Sequence, residues 1–303
     1  MPLRPRATRS RSSSVLVMTL VLTVLAFPDM ARAAKPDHVF MWMVTGPTSQ
    51  AYILGSLHVL RKGVYPLDDR IERAYESCPR VLLEADPSGA DEEELRKTML
   101  RLGTFQDGTT LREAVSPETY ARFRERTRPG EIGMERFEKI RPWFAAFSIA
   151  TLELKRLGFA AQLGVDAHFY KKAREDRRQM YYLETAGQQL ELLADAASRR
   201  EEDILKQALD ELDVVERSSA DMIRAWKEGD ARRMEALLTK SLKGFPEIER
   251  KLFTERNTAW ADRIGRLLSQ EGDVFVVVGA GHLVGKNGLL SQLKARGYTV
   301  VQQ

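Results

Sequence analysis

The sequence predicts an α/β fold in which a central mixed, mostly parallel sheet is flanked and capped by long helices. Short apolar runs typical of buried strands lie near both ends of the chain and once near its middle, and long helical stretches separate them. The strongest run is residues 274–278, five consecutive apolar residues of which four are valine. Such a continuous run indicates a strand buried on both faces. This alternation of strands and helices is typical of one sheet covered by helical layers.

The other elements follow from turn signals and from hydrophobic period. Turn residues at 45–49 separate two apolar runs, which predicts a hairpin. Pro142 stands where a helix would begin, and a helical period over 204–215 predicts a stripe that faces the core. We predict strands at 39–44, 51–55, 80–85, 180–183, 274–278 and 298–301, and helices at 68–77, 165–174 and 286–296 and over most of 90–160 and 187–270.

Residues 1–33 have the composition of a cleavable secretory signal. Four arginines precede an almost unbroken apolar run at 15–27, and a small-residue A-x-A pattern follows at 31–33. The run is 13 residues long, whereas a membrane-spanning helix needs about 20. We therefore expect an exported protein, periplasmic or secreted, with a single α/β domain at 34–303 and no membrane span after cleavage.

Charge and cysteine content narrow the classes of function. The chain has a formal net charge of +4, and its first 33 residues hold five arginines and one aspartate, so the mature part is close to neutral. Charge therefore gives no support for nucleic acid or an anionic membrane as a partner. The single cysteine, Cys78, cannot form an internal disulfide, and we expect it to be buried.

Two strands end in the same four-residue pattern. Gly55 and His58 follow one apolar run, and Gly279 and His282 follow another. Ligands of open α/β sheets bind beyond the carboxyl ends of the strands, and a glycine there lets the backbone approach them closely. The chain has only four histidines. We therefore expect His58 and His282 to share one site rather than to be two unrelated structural residues.

Two glutamates occupy matching positions. Glu84 and Glu184 each lie at the carboxyl end of a short apolar strand that a helix precedes. With the two histidines they suggest a possible internal duplication in which each half supplies one His and one Glu. Such a set suits a divalent metal ion, and it suits metal-free acid–base chemistry equally well.

Further candidates lie on the helices. Asn257 falls on a core-facing stripe, so its amide must find buried partners, and the neighbouring Arg256 is able to orient a carboxylate. Arg141 has the same capacity. Asp166 and His168 lie together at the start of a predicted helix, and we expect His168 to be structural or to support the site from behind.

Five segments of the chain resemble, in order and spacing, the TraB/PrgY/GumN family over roughly residues 38–302. That family is similar to a wider group with the Tiki proteases, the erythromycin esterases and the haem-binding ChaN proteins. The resemblance implies an α/β fold whose two Gly-x-x-His motifs and two glutamates line one site, matched here by His58, Glu84, Glu184 and His282. Because the wider group spans proteolysis, ester cleavage and ligand binding, it names no substrate. The matching segments are 52–58, 164–169, 183–185, 255–257 and 278–285.

The residues and the resemblance together favour an exported metal-dependent hydrolase, with a peptide bond as the expected target. His58 and His282 would bind a divalent ion (Mn, Co or Zn) with one or both glutamates, and the glutamate less committed to the ion would act as base. Asn257 or Arg256 would hold the oxyanion or orient a ligand. Two alternatives stay open. One is a metal-free hydrolase of the esterase kind acting on a small ester, and the other is a non-catalytic protein that binds a peptide or haem.

Overall fold

The computed structural model describes residues 36–86, 92–127 and 137–303. The predicted signal at 1–33 lies outside these residues. Within them, six strands form one sheet. The strands are β1 Met41–Thr45, β2 Gln50–Ser56, β3 Arg80–Ala85, β4 Gln179–Glu184, β5 Val274–Gly279 and β6 Thr299–Gln302.

Fourteen α-helices are present in the described ranges, and a π-helical turn, Arg250–Thr254, leads directly into the twelfth. The helices are α1 Asp69–Ser77, α2 Glu92–Gly103, α3 Leu111–Ala114, α4 Pro117–Thr127, α5 Pro142–Arg156, α6 Val165–Glu175, α7 Ala186–Ala197, α8 Glu201–Glu211, α9 Val215–Lys227, α10 Ala231–Leu242, α11 Pro246–Glu249, α12 Glu255–Leu268, α13 Ala280–Leu283 and α14 Leu289–Ala295.

The sheet is mixed and mostly parallel, with strand order β4-β3-β5-β2-β1-β6. Strands β2, β5, β3 and β4 run parallel to one another, whereas β1 pairs antiparallel with both β2 and β6. The predicted α/β class and the predicted hairpin are therefore confirmed. Every residue of β5 is buried, as its continuous apolar run predicted for the centre of a sheet. Cys78 is also fully buried.

The buried side chains form two clusters. The larger cluster surrounds the sheet, and the smaller joins helices of the cap, chiefly α5 and α8. The predicted stripe over 204–215 is buried, but it is divided between two helices because α8 ends at Glu211 and α9 begins at Val215. The chain turns between them because α8 packs in the cap, whereas α9 packs against the sheet. The spacing of apolar residues therefore predicts which residues are buried, but not which of the two clusters they join.

Helix α14 begins later than predicted, at Leu289 rather than at residue 286. Gly288 precedes it with an extended backbone, and an added Cβ at this glycine would lie 2.3 Å from the carbonyl oxygen of Val284. The chain therefore makes a tight turn there before the helix starts. Among the helices described, none is both long enough and apolar enough to cross a bilayer.

Candidate active site

The carboxyl ends of β2, β3 and β5 form the floor of a cleft of about 520 Å³ that the helical cap covers. The structure brings His58, Glu84, Arg256 and His282 together on this floor. Because β2 and β5 are neighbours, the two histidines follow adjacent strand ends. Glu184 lies behind Arg256, to which it is hydrogen bonded.

Gly279 makes the close approach of these side chains possible. An added Cβ at this position would lie 3.0 Å from His58 Nε2, 3.4 Å from Glu84 Oε2 and 3.5 Å from His282 Cδ2. Its N–H also donates to Glu84 Oε2 at 2.8 Å. The glycine at the end of β5 therefore has the role that the sequence pattern predicted, since the backbone itself forms part of the floor.

Arg256 is the central cation of the site, and its side chain is 11% exposed. Its Nε donates to Glu184 Oε1 at 3.0 Å, its Nη2 donates to Glu84 Oε1 at 2.7 Å, and its Nη1 donates to the carbonyl of Leu252 at 2.8 Å. Its guanidinium carbon lies 4.6 Å from the centroid of the Trp260 ring. The π-helical turn immediately before α12 is of a kind often found at functional sites, and here it precedes the residue that joins both glutamates.

Glu84 is a buried carboxylate that the site keeps ionised. Burial alone would raise the pKa of Glu84. At acid pH, where both rings carry a proton, His282 and His58 lower it most, and with the Arg256 guanidinium and the Gly279 N–H they bring the pKa of Glu84 to about 2. The two carboxylate oxygens of Glu84 lie between the histidines, 3.9 Å from His58 Nε2 and 3.8 Å from His282 Nε2.

His282 is neutral, and its hydrogen-bond partners define its tautomer. Asn257 donates through Nδ2 to the carbonyl of Asn287 at 3.0 Å, so its amide oxygen faces His282 Nδ1 at 2.7 Å. Nδ1 therefore carries the proton, and Nε2 accepts from Arg256 Nη1 at 3.1 Å. Burial, followed by the charge of Arg256, lowers the pKa of His282 to about 3.

His58 differs from His282 because an aspartate supports it. Its Nδ1 lies 3.1 Å from Asp166 Oδ1, and Ser56 Oγ donates to the same carboxylate oxygen at 3.3 Å. Burial alone would lower the pKa of His58, but the Asp166 carboxylate and then Glu84 raise it to about 9. The His58 side chain is 38% exposed. Because Asp166 binds Nδ1, it is Nε2 that faces the cleft. With a pKa of about 9, the ring carries a proton at neutral pH.

Three residues that contact the site were not recognised as such from the sequence. Asp166 lies 3.1 Å from His58, and nothing in the sequence indicates that the two residues are in contact. Gln189 donates to Glu84 Oε1 at 2.9 Å from the first turns of α7. Trp260 donates to Glu184 Oε1 at 3.0 Å. A signal for Trp260 was present, since it lies four residues after Arg256 and therefore on the same helix face.

Two of the other candidates lie elsewhere. Arg141 does orient a carboxylate, but it is that of Glu201 in the helical cap, with Nε to Oε1 at 3.1 Å. His168 packs against Tyr65 with ring centroids 5.2 Å apart, and its Nε2 lies 3.4 Å from Glu72. His168 lies on α6 and contacts α1 through Glu72.

The four residues expected to bind a metal do not form a ligand set in this arrangement. Glu184 is held by Arg256 and Trp260, and the lone pair of His282 Nε2 faces Arg256. The guanidinium thus takes the position between the carboxylates that an ion would need. Across the described ranges no group of three or more His, Cys, Asp or Glu side chains has metal-binding geometry. Metal binding stays a prediction, and it would require Arg256 to leave these partners.

The chain matches the TraB/PrgY/gumN family over residues 40–302. It is 24% identical over 313 residues to an uncharacterized protein of Treponema pallidum, covering 93% of this chain and 90% of that protein. It is 21% identical over 244 residues to the uncharacterized protein YbaP of Shigella flexneri, covering 80% of this chain and 88% of YbaP. None of the solved structures gives a significant match. The family match covers most of the chain and contains every residue of the cleft floor, so the protein belongs to the TraB/PrgY/gumN family.

Proposed function

We propose that the protein is a hydrolase that cleaves a carbonyl-centred bond by acid–base chemistry of its own side chains. One observation carries this proposal. On the open floor of the cleft, Glu84 and His58 carry opposite charges and face each other, with 3.9 Å between Oε2 and Nε2. A carboxylate that accepts a proton and an imidazolium that donates one are the two groups that hydrolysis by water needs.

The supporting residues set these two roles. Asp166 holds the His58 ring through Nδ1, so Nε2 is the atom presented to a substrate. Gly279 and Arg256 bind one oxygen each of Glu84, so its carboxylate has a fixed orientation. The geometry resembles the general arrangement in which an acid–base residue is oriented by a third group behind it.

The reaction balances with one water consumed. The water oxygen bonds to the substrate carbonyl carbon while Glu84 takes one of its protons. The bond from that carbon to the leaving oxygen then breaks, and His58 gives its Nε2 proton to the leaving oxygen. A carboxylic acid and an alcohol result, and transfer of the proton from Glu84 to His58 restores both groups.

A metal-dependent hydrolase is the second candidate, and one observation favours it. The Nε2 atoms of His58 and His282 flank the same carboxylate at similar distances, 3.9 and 3.8 Å. Imidazole and carboxylate are suitable ligands for Mn, Co or Zn, and a bound ion would supply Lewis acidity. In the observed arrangement the positive charge beside the two glutamates is that of Arg256, which has no Lewis acidity.

Chelation distinguishes the two candidates. The mature protein is assayed for hydrolysis of p-nitrophenyl esters and of short peptides, before and after treatment with EDTA, with its metal content measured by elemental analysis. We expect ester hydrolysis that survives EDTA in protein without stoichiometric metal. Activity lost to EDTA and restored by one of the three ions would establish the metal-dependent candidate instead, and no turnover of any substrate would favour a binding protein.

We also propose that the protein is exported, because residues 1–33 have the charge and apolar pattern of a cleavable signal. Protein recovered from the cell envelope should begin near Ala34, and intact mass spectrometry measures this directly. Recovery of the full-length chain from the membrane fraction would show that the segment is an anchor.

A further inference from the structure

We propose that the cleft binds an aliphatic acyl chain, so that the substrate is a small ester of a fatty acid. This inference rests on the proposed hydrolase function and names the substrate class of the same site. It is carried by the contrast between the charged floor of the cleft and its apolar walls.

The walls are built by half-buried apolar side chains from several helices of the cap and from the π-helical turn. They lie over the floor and face the space above His58 and Glu84. Six of these side chains are Leu95, Met99, Phe147, Leu190, Leu193 and Phe253. A pocket of about 520 Å³ lies within the range of about 300–1,000 Å³ typical of small-molecule sites. Leucine and methionine are flexible side chains that adapt to an alkyl chain.

Three polar side chains of the described lining, Thr151, Gln189 and Arg256, already have partners within the protein, which disfavours a peptide backbone. The Thr151 hydroxyl donates to the carbonyl of Phe147 in its own helix at 2.8 Å. Gln189 donates to Glu84, and Arg256 donates to the two glutamates and to a backbone carbonyl. A peptide backbone buried against these walls would lose its hydrogen bonds to water without replacement, which is costly. An alkyl chain has none to lose.

The position of the floor fixes the orientation of the substrate. The ester carbonyl must reach Glu84 and His58, because they are the groups that take and give protons. The acyl chain then extends along the apolar wall, and the alcohol leaves toward the open side of the cleft, where His58 is partly exposed.

The test is the dependence of kcat/KM on acyl length. The mature protein is assayed with p-nitrophenyl acetate, butyrate, hexanoate, octanoate and decanoate. We expect kcat/KM to rise by about fourfold for each added methylene until the cleft is filled. A flat series, or faster cleavage of peptides than of the long-chain esters, would overturn the proposal.

Neighbouring residues of α2 give a matched pair of variants. Met99 lines the cleft, whereas Leu100 is 49% exposed and is absent from its lining. Met99→Gln should lower kcat/KM for decanoate at least tenfold and for acetate much less, and Leu193→Gln should act in the same way. Leu100→Gln should change neither. Equal effects of Met99→Gln and Leu100→Gln on the decanoate-to-acetate ratio would count against the acyl site.

Binding of decanol separates this inference from the proposed function. Calorimetry with decanol alone needs no turnover, and burial of its chain should give a negative heat-capacity change. If the protein hydrolyses nothing but binds decanol, with weaker binding in Met99→Gln, the hydrolase proposal fails and the acyl site stands. If decanol does not bind, the acyl site is wrong whatever the protein hydrolyses.

Discussion

Replacing Glu84 by glutamine should lower kcat/KM for a p-nitrophenyl ester by about a hundredfold to ten-thousandfold, the usual contribution of a positioned proton-transfer group. Glutamine keeps the size of the side chain, and its single amide oxygen can accept from the Gly279 N–H or from Arg256 but not from both. It cannot take a proton from water. The expected loss is in kcat/KM because the proton transfer takes place only in the transition state. The measurement is initial-rate kinetics on purified variants at matched concentration.

Glu84 is buried, so its replacement affects stability as well as activity. A second variant, at a more exposed residue, separates loss of activity from loss of folding. His58 lies on the open side of the site, and His58→Gln should lose activity toward an alkyl ester, whose leaving alkoxide needs a proton, to a similar extent and with a smaller change in the unfolding midpoint than Glu84→Gln. Glu191→Gln is the matched control, because Glu191 is an exposed glutamate of α7 that pairs with Arg101. Activity within threefold of wild type in both site variants, equivalent to about 0.65 kcal/mol in the barrier, would remove the Glu84–His58 pair from the mechanism.

The pH profile tells which way the His58 proton moves. The Asp166 carboxylate raises the pKa of His58 to about 9, so the ring is protonated below that pH and neutral above it. As a proton donor, His58 should make kcat/KM fall as the pH rises through about 9, and this limb should vanish in His58→Gln. A rise in kcat/KM through the same pH would instead assign His58 as the base.

The shared strand-end site was predictable because of how parallel sheets are built. The carboxyl ends of parallel strands lie at one edge, so Gly-x-x-His after β2 and after β5 and glutamates at the ends of β3 and β4 converge once the strands pair. The sequence pattern predicts the strands and also identifies the residues that follow each of them. It therefore predicts that His58, Glu84, Glu184 and His282 lie at one edge of the sheet, without any knowledge of their contacts.

The internal contacts were not predictable, because they depend on helices that arrive from distant parts of the chain. Asp166 reaches His58 from the start of α6, across 108 positions of sequence, and only the packing of α6 against the sheet sets that distance. Arg256 was a candidate for orienting one ligand, whereas it joins both glutamates and His282. That arrangement depends on the rotation of α12 after the π-helical turn, which no hydrophobic pattern encodes.

Replacing Arg256 by glutamine should lower the free energy of unfolding by about 3–5 kcal/mol, the usual cost of removing one partner from a buried ion pair. The variant leaves the carboxylates of Glu84 and Glu184, with side chains 10% and 12% exposed, without the cation between them. Arg256→Lys should lose less, because lysine keeps the charge but lacks the planar fork that binds two carboxylates at once. Urea unfolding measures all three proteins.

Arg266→Gln is the control for this prediction, because Arg266 lies exposed on the same helix and its loss should change the free energy of unfolding by no more than about 0.5 kcal/mol. A loss below about 1 kcal/mol in Arg256→Gln, the range of exposed ion pairs, would mean that the guanidinium does not sit between the glutamates in solution. Elemental analysis of the wild-type protein would then show whether an ion holds them instead. A large loss in metal-free protein would establish Arg256 as the cation that joins both glutamates.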